Sequence, residues 1–68
     1  MINIIKTFTG TNYTVKVRDI GAGYFIVVYV SNKTGWNACA RTRGYRDYAT
    51  HSEAAAIRKA RALHAELG

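Results

Sequence analysis

The run from Tyr24 to Val30 constrains the fold of this chain more than any other stretch. Its residues are consecutive, apolar and all β-branched or aromatic, which are the side chains that strands favour. Glycines stand before it at Gly21 and Gly23, and turn-forming residues follow from Ser31 to Gly35. A short apolar run bounded in this way predicts an inner strand that is buried on both faces.

The length of the chain allows a single domain, residues 1–68, with one small core. The lone Cys39 forms no intramolecular disulfide, and one cysteine with two histidines is too few for a structural zinc site. The N-terminal residues lack the basic, then apolar, then small-residue order of a signal peptide. No apolar run in the sequence is long enough to span a membrane. We therefore expect a cytoplasmic protein with no membrane association and no cofactor.

Three further segments show strand character. Residues 2–8 are rich in isoleucine but alternate imperfectly, so this segment is either a strand or irregular. Residues 13–18 and 36–43 alternate cleanly between apolar or small and polar side chains. Gly44 breaks the second alternation, which predicts a bend or bulge there.

One helix is predicted at the C-terminal end. Thr50 and Glu53 have the spacing of a capping box, in which each side chain bonds the backbone amide of the other residue. A stripe of apolar residues follows at helical spacing: Ala56, Ile57, Ala60, Leu63 and Leu67. The predicted fold is therefore α+β, an antiparallel meander of three or four strands with one C-terminal helix packed on one face.

Strand parity divides the predicted sheet into two faces. The helix is expected to rest on one set of side chains: Tyr13, Val15, Val17, Ile26, Val28, Trp36, Ala38 and Ala40. The opposite face would then carry a basic rim around an aromatic strip: Lys16, Arg18, Phe25, Val27, Tyr29, Asn37, Arg41 and Arg43. If Phe25, Val27 and Tyr29 are open to solvent, they invite a second copy of the chain.

The charge of the chain favours a polyanionic partner. Ten lysines and arginines oppose four acidic residues, a formal net charge of +6. Guanidinium groups bind phosphates or guanine edges, and aromatic rings stack on bases. The expected nucleic-acid contacts are Lys16, Arg18, Tyr29, Arg41, Arg43, Tyr45 and Arg46. The alternative is a solvated face whose apolar centre is covered by a second copy of the chain, as a homodimer, or by the first strand.

The segment from Tyr48 to Ala54, which follows a three-stranded meander, resembles a junction found in two families of DNA-binding domain. These are the plant ethylene-response-factor domains and the arm-site-binding domains of phage integrases, both of which lay a sheet in the major groove. The matching signature is an aromatic residue, a threonine and Glu-Ala, and the resemblance covers roughly residues 13 to 67. It implies that Arg18, Arg41 and Arg43 are sheet contacts.

Two further likenesses concern the order of elements and the size of the chain. The order strand-strand-strand-helix is similar to the second half of double-stranded-RNA-binding domains, with His51-Ser52-Glu53 where those domains have a basic cluster. In size and basic character the chain is also similar to small phage proteins that block host defence, such as anti-CRISPR proteins.

Catalysis has little support in the sequence. His51 is expected at the surface and His64 at the edge of the core, and no glycine-rich phosphate loop or metal-ligand spacing is present. The leading hypothesis is a small non-enzymatic nucleic-acid-binding module, and its rival is an inhibitor or adaptor that binds a protein or a nucleoprotein complex. The sequence leaves DNA and RNA equally open as partners.

Overall fold

The structure, a computed structural model, describes residues 3–40 and 48–67. Five strands precede one helix in this part of the chain: β1 (Asn3–Thr9), β2 (Tyr13–Asp19), β3 (Phe25–Ser31), β4 (Asn37–Cys39), β5 (Ala49–Thr50) and α1 (Glu53–Leu67). The predicted fold is confirmed, because the strands form an antiparallel sheet and α1 packs on it. The segment left open between strand and irregular structure forms β1.

The predicted inner strand is β3, which pairs with β2 on one side and with β4 and β5 on the other, always antiparallel. Beyond β2, β1 forms an edge of the sheet. On the opposite edge the Ala40 amide donates to the Val27 carbonyl at 2.7 Å, and the Tyr48 amide donates to the Ala40 carbonyl at 2.8 Å. Residues 40 and 48 therefore meet at the edge of β3; the bend predicted at Gly44 lies outside the described residues.

Positive φ angles shape the two turns that flank β3. In the first turn Gly21, Ala22 and Gly23 all have positive φ, and the Asp19 carboxylate accepts a bond from the Gly21 amide at 2.9 Å. In the second turn Gly35 takes a φ of 79°, and its amide donates to the Ser31 carbonyl at 2.9 Å. Asn32, which lies in the same turn, is not among the residues with positive φ.

The core is small and consists of valines beneath alanines. Its fully buried members are Val15, Val17, Val27, Ala40, Ala56 and Ala60. Half-buried side chains surround them: Phe8, Phe25, Tyr29, Tyr48, Ile57 and Leu63. The predicted helix stripe is confirmed at Ala56, Ile57, Ala60 and Leu63, and the small alanines let α1 approach the sheet closely.

The predicted assignment of β3 side chains to the two faces is wrong. Val15 pairs with Tyr29 and Val17 pairs with Val27, and cross-strand partners share a face of the sheet. Phe25, Val27 and Tyr29 therefore lie under the helix, and Ile26 and Val28 lie on the opposite side. Val27 is fully buried and Phe25 and Tyr29 are half-buried against the core, so these three residues do not form the open patch on which the expected self-association depended.

Turn geometry is the physical reason for this reversal. The Ile20 amide bonds the Tyr24 carbonyl, so the ladder continues through residues 20 and 24 and closes around three turn residues. A turn with one residue more or fewer would bring Ile26 and Val28 beside the buried valines of β2. Both sets of β3 side chains are apolar, so hydrophobicity alone does not choose between them.

Trp36 is also placed differently from its prediction. It was expected beneath the helix, but 57% of its surface is exposed. It precedes β4, and its ring meets Tyr29 edge-on with centroids 5.9 Å apart, while Tyr29 meets Tyr13 at the same distance. Trp36 therefore extends an aromatic cluster at the margin of the core.

The helix begins at a different cap from the predicted one. The Ser52 hydroxyl accepts a bond from the Ala55 amide at 3.2 Å, which makes Ser52 the N-cap. Thr50 instead accepts from the Ser52 amide at 3.2 Å, so the expected capping box between Thr50 and Glu53 is absent. Within the described ranges, no helix has both the length and the apolar character needed to cross a membrane.

Candidate nucleic-acid interface

The sheet face opposite α1, called the outer face below, is defined by the alternation of β2 and β3. Its central residues are Thr14, Lys16 and Arg18 from β2, and Ile26, Val28 and Val30 from β3. Among the described residues α1 is the one element outside the sheet, and the core contacts place it on the other side. The outer face therefore combines an aliphatic row with a row of polar and basic side chains.

Arg18 lies between two isoleucines on the outer face. Its cross-strand partners are Ile4 on β1 and Ile26 on β3. The Arg18 Nε is buried and has no hydrogen-bond partner. A buried donor without an acceptor costs about 1–3 kcal/mol, more when the group is charged. An oxyanion would supply that acceptor once the Arg18 side chain moved to expose Nε, so anion binding would remove this cost.

Lys16 adds a second positive charge on the same face. It is two residues from Arg18 along β2, and its cross-strand partners are Thr7 and Val28. Among the described strands Asp19 is the one acidic residue, and it pairs with Phe25 on the helix side. No carboxylate within the described strands therefore neutralises Lys16 or Arg18 on the outer face.

The sequence-predicted contacts fall into three groups according to where the structure places them. Lys16 and Arg18 lie together on the outer face, as the alternation of β2 predicted, and Asn37 joins them because it pairs with Val30. Tyr29 lies on the helix side with Val15, so it was wrongly assigned to the face of these two cations. The remaining predicted contacts lie outside the described residues: Arg41, Arg43, Tyr45 and Arg46.

The aliphatic row of Ile26, Val28 and Val30 is the part of this surface that sequence reasoning missed. These residues alternate with the buried members of β3 and are all half-buried. The sequence shows these residues as part of a run that is apolar at every position. Which alternate residues of that run face the helix depends on the length of the preceding turn. The centre of the outer face is consequently aliphatic, where an aromatic strip was predicted.

The two described histidines hold the helix to the sheet. His51 Nδ1 lies 3.1 Å from the Gly23 carbonyl, and its ring packs against Tyr24 with centroids 4.0 Å apart. His64 Nε2 lies 3.2 Å from the Thr9 carbonyl, beside the Phe8 ring. Each of these ring nitrogens donates to a carbonyl, so both side chains have structural contacts. Within the described ranges, no three potential metal ligands come together.

The chain was compared with family models, with curated proteins and with solved structures, and none of the three comparisons gave a match.

Proposed function

We propose that this chain is a small nucleic-acid-binding module that acts without a chemical step and uses the outer face of its sheet. The observation that carries the proposal is the buried, unpartnered Nε of Arg18 beside Lys16, on a face where the described strands place no carboxylate. The backbone of a polynucleotide presents closely spaced phosphate anions. The net charge of +6 adds long-range attraction to the same partner.

The aliphatic row supports a specific binding arrangement. Lys16 and Arg18 would contact phosphates, while Val28 and Ile26 beside them would contact sugars or thymine methyl groups, which are the apolar parts of a nucleic acid. Arg41, Arg43, Tyr45 and Arg46 remain proposed contacts on the ground of their sequence clustering. A twisted sheet can enter a major groove or hold a single strand, so duplex DNA, single-stranded DNA and RNA are all to be tested.

A matched pair of arginine substitutions tests this proposal. Arg18→Ala and Arg61→Ala remove the same charge, but Arg61 is an exposed residue of α1. At low salt, fluorescence anisotropy with labelled 20-nucleotide probes should show a loss of about tenfold for Arg18→Ala, the size of one charge-assisted hydrogen bond. Arg61→Ala should bind like the parent. Equal losses in both variants, or no binding to any probe, would contradict the proposal.

The same aliphatic row favours a second candidate function. Ile26, Val28 and Val30 form a surface that a protein partner could bury, as the apolar centres of protein interfaces do. In this case the chain would be an inhibitor or adaptor for a protein or nucleoprotein complex, of the kind that small phage anti-defence proteins represent. We place either activity in the cytoplasm, where proteins without disulfide bonds are common.

Capture from a cell lysate separates the two candidates. If nucleic acid is the partner, nuclease treatment should release what the chain captures, and Arg18→Ala should prevent capture. If a protein surface is the partner, capture should survive nuclease and should be lost in Val28→Glu, which places a charge in the aliphatic row. Val28→Glu must retain the far-ultraviolet circular dichroism of the parent for this comparison to hold.

A further inference from the structure

A second cationic surface lies beside α1, on the opposite side of the sheet from the outer face. It is a shallow cleft of about 360 Å³ that is open to solvent, and its described lining residues are Tyr48, Ala55, Arg58 and Lys59. This volume falls near the lower end of the range for small-molecule sites. The cleft shares no described residue with the outer face.

One wall of the cleft is a fixed aromatic ring. The Tyr48 amide donates to the Ala40 carbonyl at 2.8 Å, and the Tyr48 hydroxyl donates to the Ala55 carbonyl at 3.4 Å. The ring also packs against the core. The main chain of Tyr48 is therefore held to the edge of the sheet, and its hydroxyl lies against the first turns of α1.

The cations of the cleft have no acidic neighbours along the helix. At three and four residues from Arg58 stand Ala54, Ala55, Arg61 and Ala62, and the corresponding neighbours of Lys59 are Ala55, Ala56, Ala62 and Leu63. The Lys59 ammonium lies 5.5 Å from the centroid of the Tyr48 ring, a cation–π contact. Within the described helix, two positive charges thus lie next to one aromatic face with no carboxylate three or four residues away.

We infer that this cleft binds a nucleotide. Arg58 and Lys59 would hold its phosphate, a guanidinium by paired hydrogen bonds and an ammonium as a point charge. The base would stack on the Tyr48 ring in the place of the Lys59 ammonium, which then moves to the phosphate. A simple inorganic anion would leave the ring unused, and a neutral aromatic molecule would leave both charges unused; a nucleotide uses all three groups.

The test is a titration of the full chain, labelled with ¹⁵N, with adenosine monophosphate at low salt. Amide resonances of Tyr48, Ala55, Arg58 and Lys59 should shift, and inorganic phosphate or adenosine alone should bind more weakly at the same residues. Arg58→Gln and Lys59→Gln should each weaken the binding of the nucleotide by about tenfold. Arg61→Gln, which removes the same charge outside the cleft, should retain the parent affinity.

Several results would overturn the inference. These are absence of shifts at millimolar nucleotide, equal binding of inorganic phosphate, or equal losses in Arg61→Gln and in the cleft variants. The inference does not depend on the proposed function, because Arg18→Ala should leave the binding of the nucleotide unchanged. Shifts that appear on β2 and β3 and vanish in Arg18→Ala would assign the nucleotide to the outer face and would refute the cleft.

Discussion

At the residue scale, the start of α1 shows how one hydroxyl fixes the position of a helix. Ser52 and Thr50 both have side chains that suit an N-cap, and both accept backbone hydrogen bonds. Only the Ser52 bond reaches an amide of the helix itself, because its donor is Ala55. The Thr50 bond organises the turn that leads into the helix.

Substitution of these two residues should therefore have unequal effects. Ser52→Ala should lower the free energy of unfolding by about 1 kcal/mol, since the Ala55 amide loses its acceptor. Thr50→Ala should cost less, and Ser52→Asp, which keeps an acceptor, should match the parent. Urea denaturation measures all three. A larger loss for Thr50→Ala than for Ser52→Ala would mean that the helix begins at the capping box predicted from sequence.

Gly35 gives a second prediction at this scale. Its φ of 79° is unfavourable for residues with a Cβ, but an added Cβ would meet nothing within 4 Å. Gly35→Ala should therefore cost about 1 kcal/mol through the backbone alone. Gly35→Asn should cost less, because asparagine tolerates this conformation better. A greater loss for the larger asparagine, in the same denaturation assay, would show that crowding is the cause.

At the element scale, sequence patterns identified the strands and the helix but not the face on which each β3 side chain lies. Clean alternation revealed β2, and continuous apolarity revealed β3. The imperfect alternation of β1 has a structural cause, since its register shifts between Ile4 and Lys6 as at a β-bulge. Which β3 side chains face the helix depends on the length of the preceding turn. That length is set by backbone conformation and not by hydrophobicity.

The same distinction explains how much of the candidate site was predictable. Lys16 and Arg18 were assigned correctly because polar and buried residues alternate along β2, so only one face suits the cations. Tyr29 was assigned wrongly because every position of its strand is apolar up to Val30. Trp36 was assigned to the core because it alternates with Ala38 and Ala40, but it precedes β4 and its ring meets only the margin of the core.

Two neighbouring valines test the faces of β3 directly. Val27→Thr buries a hydroxyl among core side chains and should cost about 1–3 kcal/mol. Val28→Thr places the same hydroxyl on the outer face and should cost about 0.5 kcal/mol or less, because threonine suits strands and its hydroxyl reaches water. Thermal or urea unfolding distinguishes the two. Equal costs, or the reverse order, would mean that the register of β2 and β3 is different.

At the scale of the whole molecule, the sheet separates two basic surfaces of different shape. The outer face is a broad surface with a row of polar and basic side chains beside a row of aliphatic ones, and we propose an extended partner for it. The cleft beside Tyr48 is smaller and open to solvent, and we propose a single nucleotide as its ligand. Glu53 and Glu66, the described acidic residues of α1, lie near its two ends, so the middle of the helix is free of negative charge.

The central claim is that organised cations on the outer face, and not net charge alone, bind nucleic acid. The most direct test is the salt dependence of affinity for duplex DNA, compared among the parent, Arg18→Ala and Arg61→Ala. Each phosphate contact contributes about −0.9 to the slope of log affinity against log salt. The account predicts a shallower slope, by about 0.9, for Arg18→Ala and the parent slope for Arg61→Ala. Identical slopes in the two variants would contradict it.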